Sequence, residues 1–166
     1  MAKRMHLEVS MSTEPTRIIF ATDQPLLVVG YRDVLRAAGF RAEPAMLQPK
    51  AAAESLRRED PCLVLLDSGY EVTPVSLAKA VHKSPGSRMI LIGAEIKPEG
   101  LLFAVQAGLH GVLSTRLPVD EAAQAIKQIW RGERLFRFDC PANRAGTAPV
   151  GTIDDFDAAW MFGQAV

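Results

Sequence analysis

Short, continuously apolar runs alternate with longer stretches of helical periodicity from Arg17 onward, and this alternation limits the folds open to the chain. Each run is apolar throughout, as is typical of strands that are covered on both faces. The four clearest runs are Ile18–Ala21, Cys62–Leu66, Met89–Ile92 and Val112–Ser114. Because helical stretches lie between them, the pattern predicts βα units that build a parallel sheet.

A fifth strand is predicted over Phe40–Leu47, where Pro44 interrupts the apolar pattern. Proline cannot donate to a strand ladder, so this strand is expected at an edge of the sheet. Five helical stretches lie between and after the strands, and several begin at proline and end near glycine. They are Pro25–Ala38, Pro49–Arg58, Pro74–Lys83, Pro98–Ala107 and Pro118–Arg131. Together these elements predict one doubly wound α/β domain.

Composition excludes several classes of protein. The 166 residues include 19 basic and 19 acidic side chains, a balance that argues against direct binding of nucleic acid. The two cysteines, Cys62 and Cys140, lack metal-ligand spacing. No window reaches the roughly 18 apolar residues of a membrane span, and the first 16 residues have no apolar core typical of a signal peptide. We expect a cytoplasmic protein without a membrane segment.

Three regions are predicted along the chain: a flexible leader over 1–16, the α/β domain over 17–136, and a linker and tail over 137–166. The tail contains a segment, 153–162, that places Ile153, Phe156 and Trp160 at helical spacing. Two interpretations stay open for this segment. It is either a frayed end or a short amphipathic helix that docks on this domain or on a partner.

Acidic residues follow two of the predicted strands. Asp23 comes after the first strand and Asp67 comes directly after Cys62–Leu66. In an open α/β sheet, ligands bind outside the carboxyl ends of the strands, so the two carboxylates should meet there. Such a pair is suited to Mg²⁺. Alternatively, Asp23 caps the helix that begins at Pro25.

Residues Arg17–Phe136 resemble the receiver domain of bacterial two-component response regulators, especially the LuxR-type (NarL/FixJ) branch. The resemblance is carried by IIFATDQPLLVVGYRDVL (18–35), LVLLDSGYEVTP (63–74), AVQAGLHGVLS (104–114) and LPVDEAAQAIKQIWRGERLF (117–136). It implies a flavodoxin-like (CheY-like) fold, with five parallel strands in the order 2-1-3-4-5 and helices on both faces of the sheet.

The resemblance also implies roles for three residues at the carboxyl ends of the strands. Asp67 matches the phosphoacceptor aspartate, which would carry an acyl phosphate. Asp23 matches the acidic residue that binds Mg²⁺ directly, and Gly69 matches the position that offers a backbone carbonyl to the metal. A cation between these carboxylates and a phosphodonor would neutralise the charge of the transferring group.

Three other positions depart from the family pattern. Thr22 replaces an acidic residue that would help to hold Mg²⁺, and Gly93 replaces the Ser or Thr whose hydroxyl follows the phosphate. Thr115 replaces a lysine that would contact the phosphoryl oxygens, and a neutral hydroxyl is a weaker partner for them. Arg116 could take over from that lysine, although neighbouring strand residues face opposite ways. The resemblance therefore implies an atypical receiver that binds Mg²⁺ weakly.

We expect a regulatory domain and not an enzyme. The first strand is followed by Thr22–Pro25, which is not the glycine-rich loop of a dinucleotide-binding oxidoreductase. No serine or cysteine lies beside a histidine in a pattern typical of hydrolases. Two hypotheses stay open: the regulatory part of a LuxR-type transcription regulator with a weakened phosphoryl switch, or a stand-alone pseudo-receiver that acts by protein interaction and dimerisation without phosphorylation.

Partners follow from the same resemblance. A histidine kinase would phosphorylate the domain, and any contact with DNA would be made by an output domain outside these residues. A homodimer is expected through the helix Pro118–Arg131 or its neighbours. The reason is that one helix face cannot bury the apolar area of Ile129, Trp130, Leu135 and Phe136. The alternative is that Trp130 packs on its own domain.

Overall fold

Parallel strands and helices alternate in the computed structural model, which describes residues 14–56, 60–69 and 75–138. The strands are β1 (Arg17–Ala21), β2 (Pro44–Leu47), β3 (Cys62–Asp67), β4 (Arg88–Gly93), β5 (Gly111–Ser114) and β6 (Leu135–Arg137). The helices are α1 (Pro25–Ala37), α2 (Pro49–Ser55), α3 (Val75–His82), α4 (Pro98–Gln106) and α5 (Val119–Trp130).

The strands form one parallel sheet in the order β2-β1-β3-β4-β5-β6. The predicted doubly wound sheet and the order of its first five strands are confirmed, and β2, which begins at Pro44, lies at an edge. The prediction of five strands was wrong. The segment Leu135–Arg137 adds a sixth strand, which pairs with β5 so that Phe136 lies beside Val112. With three residues, this strand is too short to produce a recognisable sequence pattern.

Two apolar cores cover the two faces of the sheet. The first lies under α1 and α5, where Phe20, Leu65 and Leu113 point. The second lies under α2, α3 and α4 and takes the alternate strand residues, such as Val64 and Val112. The strands are therefore apolar at every position because both of their faces are buried.

All five helices end before their predicted last residues, by one residue each except in α2, which ends three residues early. Helix α2 ends at Ser55 because the next residue, Leu56, has extended backbone dihedral angles, while residues 57–59 lie outside the described part. Helix α3 is described from Val75 to His82, and Pro74 is not described. The turn after α1 contains Gly39 with a φ of 85°, a left-handed conformation that glycine adopts readily.

The ends of the described region pack against the domain. Thr16 donates from its hydroxyl to the carbonyl oxygen of Pro61 at 3.0 Å. Strand β6 ends at Arg137, one residue into the predicted linker, and Phe138 packs against the second core. The rest of the predicted leader, residues 1–13, and the predicted helix over 153–162 lie outside the described residues.

The apolar residues that suggested a dimer face lie inside the domain. Ile129, Trp130 and Phe136 are buried, and the Trp130 ring meets the Phe40 ring edge-on with centroids 6.4 Å apart. Leu135 packs against the first core. The argument from an excess of apolar surface was therefore wrong, and the alternative that Trp130 packs on its own domain is confirmed. The homodimer itself stays a prediction.

No helix in the described ranges combines the length and the apolar character needed to cross a membrane.

Candidate functional site

The carboxyl ends of β1, β3, β4 and β5 form a polar rim around Asp67, which we call the Asp67 rim. Asp67 is the last residue of β3 and only 6% of its surface is exposed. Thr22 follows β1 and is buried as well. Because β1 and β3 pair in parallel, with Ala21 beside Leu66, their ends bring these two side chains together.

Three neutral groups donate hydrogen bonds to the Asp67 carboxylate. The Thr22 hydroxyl donates to Oδ2 at 2.7 Å, and the side-chain amide of Gln24 donates to the same oxygen at 3.1 Å. The backbone N–H of Gly69 donates to Oδ1 at 2.8 Å. A buried carboxylate is costly unless hydrogen bonds replace its hydration, and these donors supply them.

Thr22 holds the loop between β1 and α1 as well as the carboxylate. Its Oγ1 accepts the backbone N–H of Gln24 at 3.0 Å while it donates to Asp67. One hydroxyl thus acts as both donor and acceptor, which fixes the orientation of its proton. Thr22, at the position where the resemblance implies an acidic residue, is thus a direct hydrogen-bond partner of the Asp67 carboxylate.

Sequence reasoning missed Gln24. Gln24 stands one residue beyond Asp23 in the loop. Its amide could not be assigned to the site from the sequence, because its partner, Asp67, lies on another strand. The structure places Asp23 at the same rim but exposed to solvent. The alternative role for Asp23 as a helix cap is not seen: α1 has Gln24 at its cap position, with no side-chain hydrogen bond to the helix.

Gly93 ends β4 at the position where the resemblance implies a hydroxyl residue, and the space beside it is filled by Ser68. A Cβ added at Gly93 would lie 1.9 Å from Ser68 Oγ and 2.9 Å from Ile96 Cδ1. The Ser68 backbone is fixed there because its N–H donates to the carbonyl oxygen of Ile92 at 2.8 Å. A larger residue at position 93 therefore requires Ser68 to move.

Thr115 lies just after β5, half-buried, and its backbone N–H donates to the carbonyl oxygen of Gly93 at 2.9 Å. The neighbouring Arg116 is exposed and forms an ion pair with Glu95 at 3.3 Å. That pair gives its guanidinium a partner other than Asp67. The structure thus offers no support for Arg116 as a replacement for the missing lysine.

The rim fits Mg²⁺ poorly. The described residues contain no group of three or more His, Cys, Asp or Glu side chains that could hold a metal ion. Both oxygens of Asp67 already accept hydrogen bonds, so a metal ion would compete with these donors for the carboxylate. Mg²⁺ demands near-octahedral oxygen ligands, which this arrangement does not assemble.

A second titratable side chain that is partly buried, His110, lies at the opposite end of the sheet, before β5. Its Nδ1 accepts the backbone N–H of Met89 at 3.1 Å, and its ring lies 6.2 Å from that of His82. Burial, together with the positive charges of Arg88 and Arg134, lowers the pKa of His110 to about 4. His110 is thus neutral at pH 7.

Solved structures of receiver domains resemble this chain closely in fold. The signal receiver domain of the response regulator NarL from Mycobacterium tuberculosis is 25% identical and superposes with a TM-score of 0.60, covering 72% of this chain and 99% of that one. A LuxR family DNA-binding response regulator from Silicibacter pomeroyi is 22% identical with a TM-score of 0.57, covering 76% of this chain and 98% of that one.

The isolated REC domain of RcsB from Salmonella enterica serovar Typhimurium, solved with the phosphomimetic BeF3⁻, is 16% identical with a TM-score of 0.58. It covers 72% of this chain and 91% of that chain. No family model and no curated protein matches the sequence. The structural neighbours are thus receiver domains of response regulators, including NarL and LuxR family members, and the resemblance seen in the sequence is confirmed at the level of the fold.

Proposed function

We propose that this chain, which has the receiver-domain fold of response regulators, is a regulatory domain of two-component signal transduction with a weakened phosphoryl switch. The observation that carries the proposal is the buried Asp67 at the carboxyl end of β3. Its position suits a phosphoacceptor, while its hydrogen bonds come from the neutral groups of Thr22, Gln24 and Gly69. The domain would be regulatory and not an enzyme.

The weakness of the switch follows from the charges around Asp67. A phosphoryl group adds negative charge, and the cationic partner expected at position 115 is a threonine. A hydrogen bond to a charged group contributes about 1.5–3 kcal/mol, so its loss weakens phosphoryl binding by roughly one to two orders of magnitude. Mg²⁺ would bind weakly because Thr22 stands where the resemblance implies a further acidic residue, with Asp23 and Asp67 as the carboxylates and the Gly69 carbonyl in the role that the resemblance implies.

The partners expected from the resemblance become part of the proposal. A histidine kinase in the cytoplasm would be the phosphodonor, and the domain would form a homodimer. The regulated function would be transcription, through an output domain of the LuxR type outside these residues. The balance of acidic and basic residues argues against DNA contact by the domain itself.

A second candidate function is a pseudo-receiver that binds its partners without phosphorylation. The packing of Ser68 beside Gly93 favours it, because the hydroxyl that would follow a phosphoryl group is absent from β4 and its space is filled. A ligand shifts a conformational equilibrium only through contacts that differ between the two states. Phosphorylation at Asp67 would therefore bias such a domain little.

The test compares the full chain with a variant that regains the family residues, Thr22→Asp combined with Thr115→Lys. Each protein is incubated with acetyl phosphate and Mg²⁺, and the acyl phosphate is followed by intact mass. We expect the natural chain to gain phosphate at least about ten-fold more slowly than the variant, because one charge-assisted contact is missing. Asp67→Asn is the control that should gain none.

Equal, rapid and stoichiometric phosphorylation of the natural chain would contradict a weakened switch. Phosphorylation at a residue other than Asp67 would contradict its role as the acceptor. The two candidate functions separate on the oligomeric state, measured by light scattering with and without phosphodonor. A shift that Asp67→Asn abolishes supports the switch, whereas an unchanged state in both proteins supports the pseudo-receiver.

A further inference from the structure

Helix α4 exposes apolar side chains on its outer side. It buries Leu101 and Ala104 against the second core, yet Leu102 and Val105 remain 45% and 41% exposed. These two residues are three positions apart and therefore lie on the same side of the helix. We call this pair the α4 outer face. Of the residues in α4, only Glu99 is charged.

The described chain ends on the face of the sheet that α4 helps to cover. Strand β6 runs parallel to β5, and Phe136 joins the core cluster that contains Leu101 and Ala104. Phe138, the last described residue, packs against the same cluster. Because β6 runs parallel to β5, the chain leaves it toward the end of the sheet where the Asp67 rim lies.

The remaining sequence contains a segment that could cover two exposed apolar residues. Ile153, Phe156 and Trp160 are spaced so that a helix would place them in one stripe. About 14 residues, 139–152, connect Phe138 to this segment, and a random coil of that length spans roughly 20 Å. Helix α4 is about 13 Å long, so the connection reaches any point along it.

The size of the α4 outer face favours a tethered occupant. A stable interface between separate proteins buries about 800 Å² on each partner, which two half-exposed side chains do not provide. Attachment through a short linker raises the effective concentration into the millimolar range, so a small contact suffices. A segment of the same chain meets this condition, whereas a second copy does not.

We propose that residues 153–160 dock in cis on the α4 outer face, with Phe156 and Trp160 against Leu102 and Val105. The contact would make access to α4 depend on the tail, so a partner of this helix would have to displace the segment. The inference rests on the exposed residues, on the path of β6 and on the tail sequence. It does not depend on phosphorylation at Asp67.

Trp160 fluorescence in the full chain tests the proposal. The chain has two tryptophans, and Trp130 is buried in the core, so the difference between the natural chain and Trp160→Phe isolates the Trp160 signal. Docking predicts a blue-shifted emission that is shielded from acrylamide. Leu102→Asp and Val105→Asp each place a charge in the contact and should lower the docked-to-free ratio about ten-fold.

Val29→Asp is the matched control. Val29 is an exposed apolar residue on α1, across the sheet from α4, and its replacement should leave the Trp160 signal unchanged. Circular dichroism verifies that each variant folds. As a second measurement, deletion of residues 153–166 should speed amide hydrogen exchange at exposed positions of α4 and leave α1 unaffected.

Two results would overturn the proposal. Trp160 as accessible to acrylamide as in a free peptide of residues 149–166 would show that the segment does not dock. A Trp160 signal that is lost on roughly hundred-fold dilution would assign the contact to a second copy, since a tethered contact is independent of concentration.

Discussion

Asp67 is buried and His110 is partly buried, at opposite ends of the same sheet, and the groups around them differ. Donors from three residues face the Asp67 carboxylate. His110 accepts one backbone N–H from Met89 and has the positive charges of Arg88 and Arg134 nearby. The first end of the sheet accommodates a negative charge, whereas the second excludes a positive one.

The comparison shows how neutral groups satisfy the Asp67 carboxylate within the described part of the chain. Hydrogen bonds from neutral groups and a buried position stabilise a single arrangement of the loops around it. A different residue, Ser68, fills the space beside Gly93. The hydrogen bonds to Asp67 and the filled space beside Gly93 thus lie at the same rim.

The largest effect is expected for Gly93→Thr at the Asp67 rim. Its Cβ would collide with the Ser68 hydroxyl and crowd Ile96, so Ser68 would have to leave its site. Overpacking of this kind costs typically 1–3 kcal/mol, and we expect the loss in the free energy of unfolding near the upper end, about 3 kcal/mol. Urea denaturation measures it.

Ser68→Gly in the same protein tests the cause of that loss. Removal of the serine side chain should restore much of the stability of Gly93→Thr, because the main collision disappears. Gly30→Ala is the control: an added Cβ at Gly30 meets no atom within 4 Å, and alanine favours a helix. Unchanged stability in Gly93→Thr would show that the rim is less tightly packed than described.

Thr22→Val is expected to have the next largest effect. It preserves the shape of the side chain but removes the donor to Asp67 and the acceptor for the Gln24 N–H. A lost hydrogen bond to a charged group costs about 1.5–3 kcal/mol, so a loss near 2 kcal/mol is expected by urea denaturation. Thr22→Ser keeps the hydroxyl and should recover most of it; equal losses in both variants would refute the role of the hydroxyl.

The sequence predicted the sheet more fully than it predicted the rim. Strands buried on both faces leave a continuous apolar signal, so β1, β3, β4 and β5 could be located, and Asp67 could be placed at the end of β3. The contact between Ser68 and Gly93 could not be predicted, because it depends on the distance between two loops. Strand β6 was missed because three residues carry too little periodicity.

Asp23 illustrates the same limit at the level of a single residue. Its position after β1 correctly placed it at the Asp67 rim, but the spacing could not show that its side chain is exposed while Thr22 and Gln24 bond to the carboxylate. Local sequence fixes which end of a strand a residue occupies. Which of three consecutive loop residues turns inward is decided by the neighbouring strand.

At the other end of the sheet, we expect His110 to have a smaller effect, which makes the free energy of unfolding depend on pH. The pKa of His110 is about 4 in the folded protein, against an ordinary value of 6.5. Between these pH values the unfolded chain binds a proton that the folded protein does not bind. The contribution of His110 to the free energy of unfolding is therefore fully present above about pH 7. It is lost as the pH falls from 6.5 toward 4. Allowing for screening by solvent, we expect a loss of about 1–2 kcal/mol.

His110→Asn isolates this contribution, since its amide oxygen can accept the Met89 N–H in place of Nδ1 and does not titrate. The stability of the natural protein relative to this variant should decline over pH 6.5 to 4, as measured by urea denaturation at several pH values. His82→Gln is the control for the exposed neighbour and should retain the decline. If the stability difference between the natural protein and His110→Asn did not vary with pH, the neutral state of the partly buried ring would be refuted.

Arg116→Ala is expected to have the smallest effect and sharpens the account of the Asp67 rim. The ion pair of Arg116 with Glu95 is half-exposed, and such pairs contribute little, so the change in stability should be below about 0.5 kcal/mol. The rate of phosphorylation by acetyl phosphate should also be unchanged, because the guanidinium is held at Glu95.

Thr115→Lys, one residue away, should raise that rate, since an ammonium there can reach the phosphoryl oxygens. A large loss of rate in Arg116→Ala would instead identify this arginine as the cationic partner of Asp67 and would mean that the rim keeps more of its switch than its neutral donors indicate.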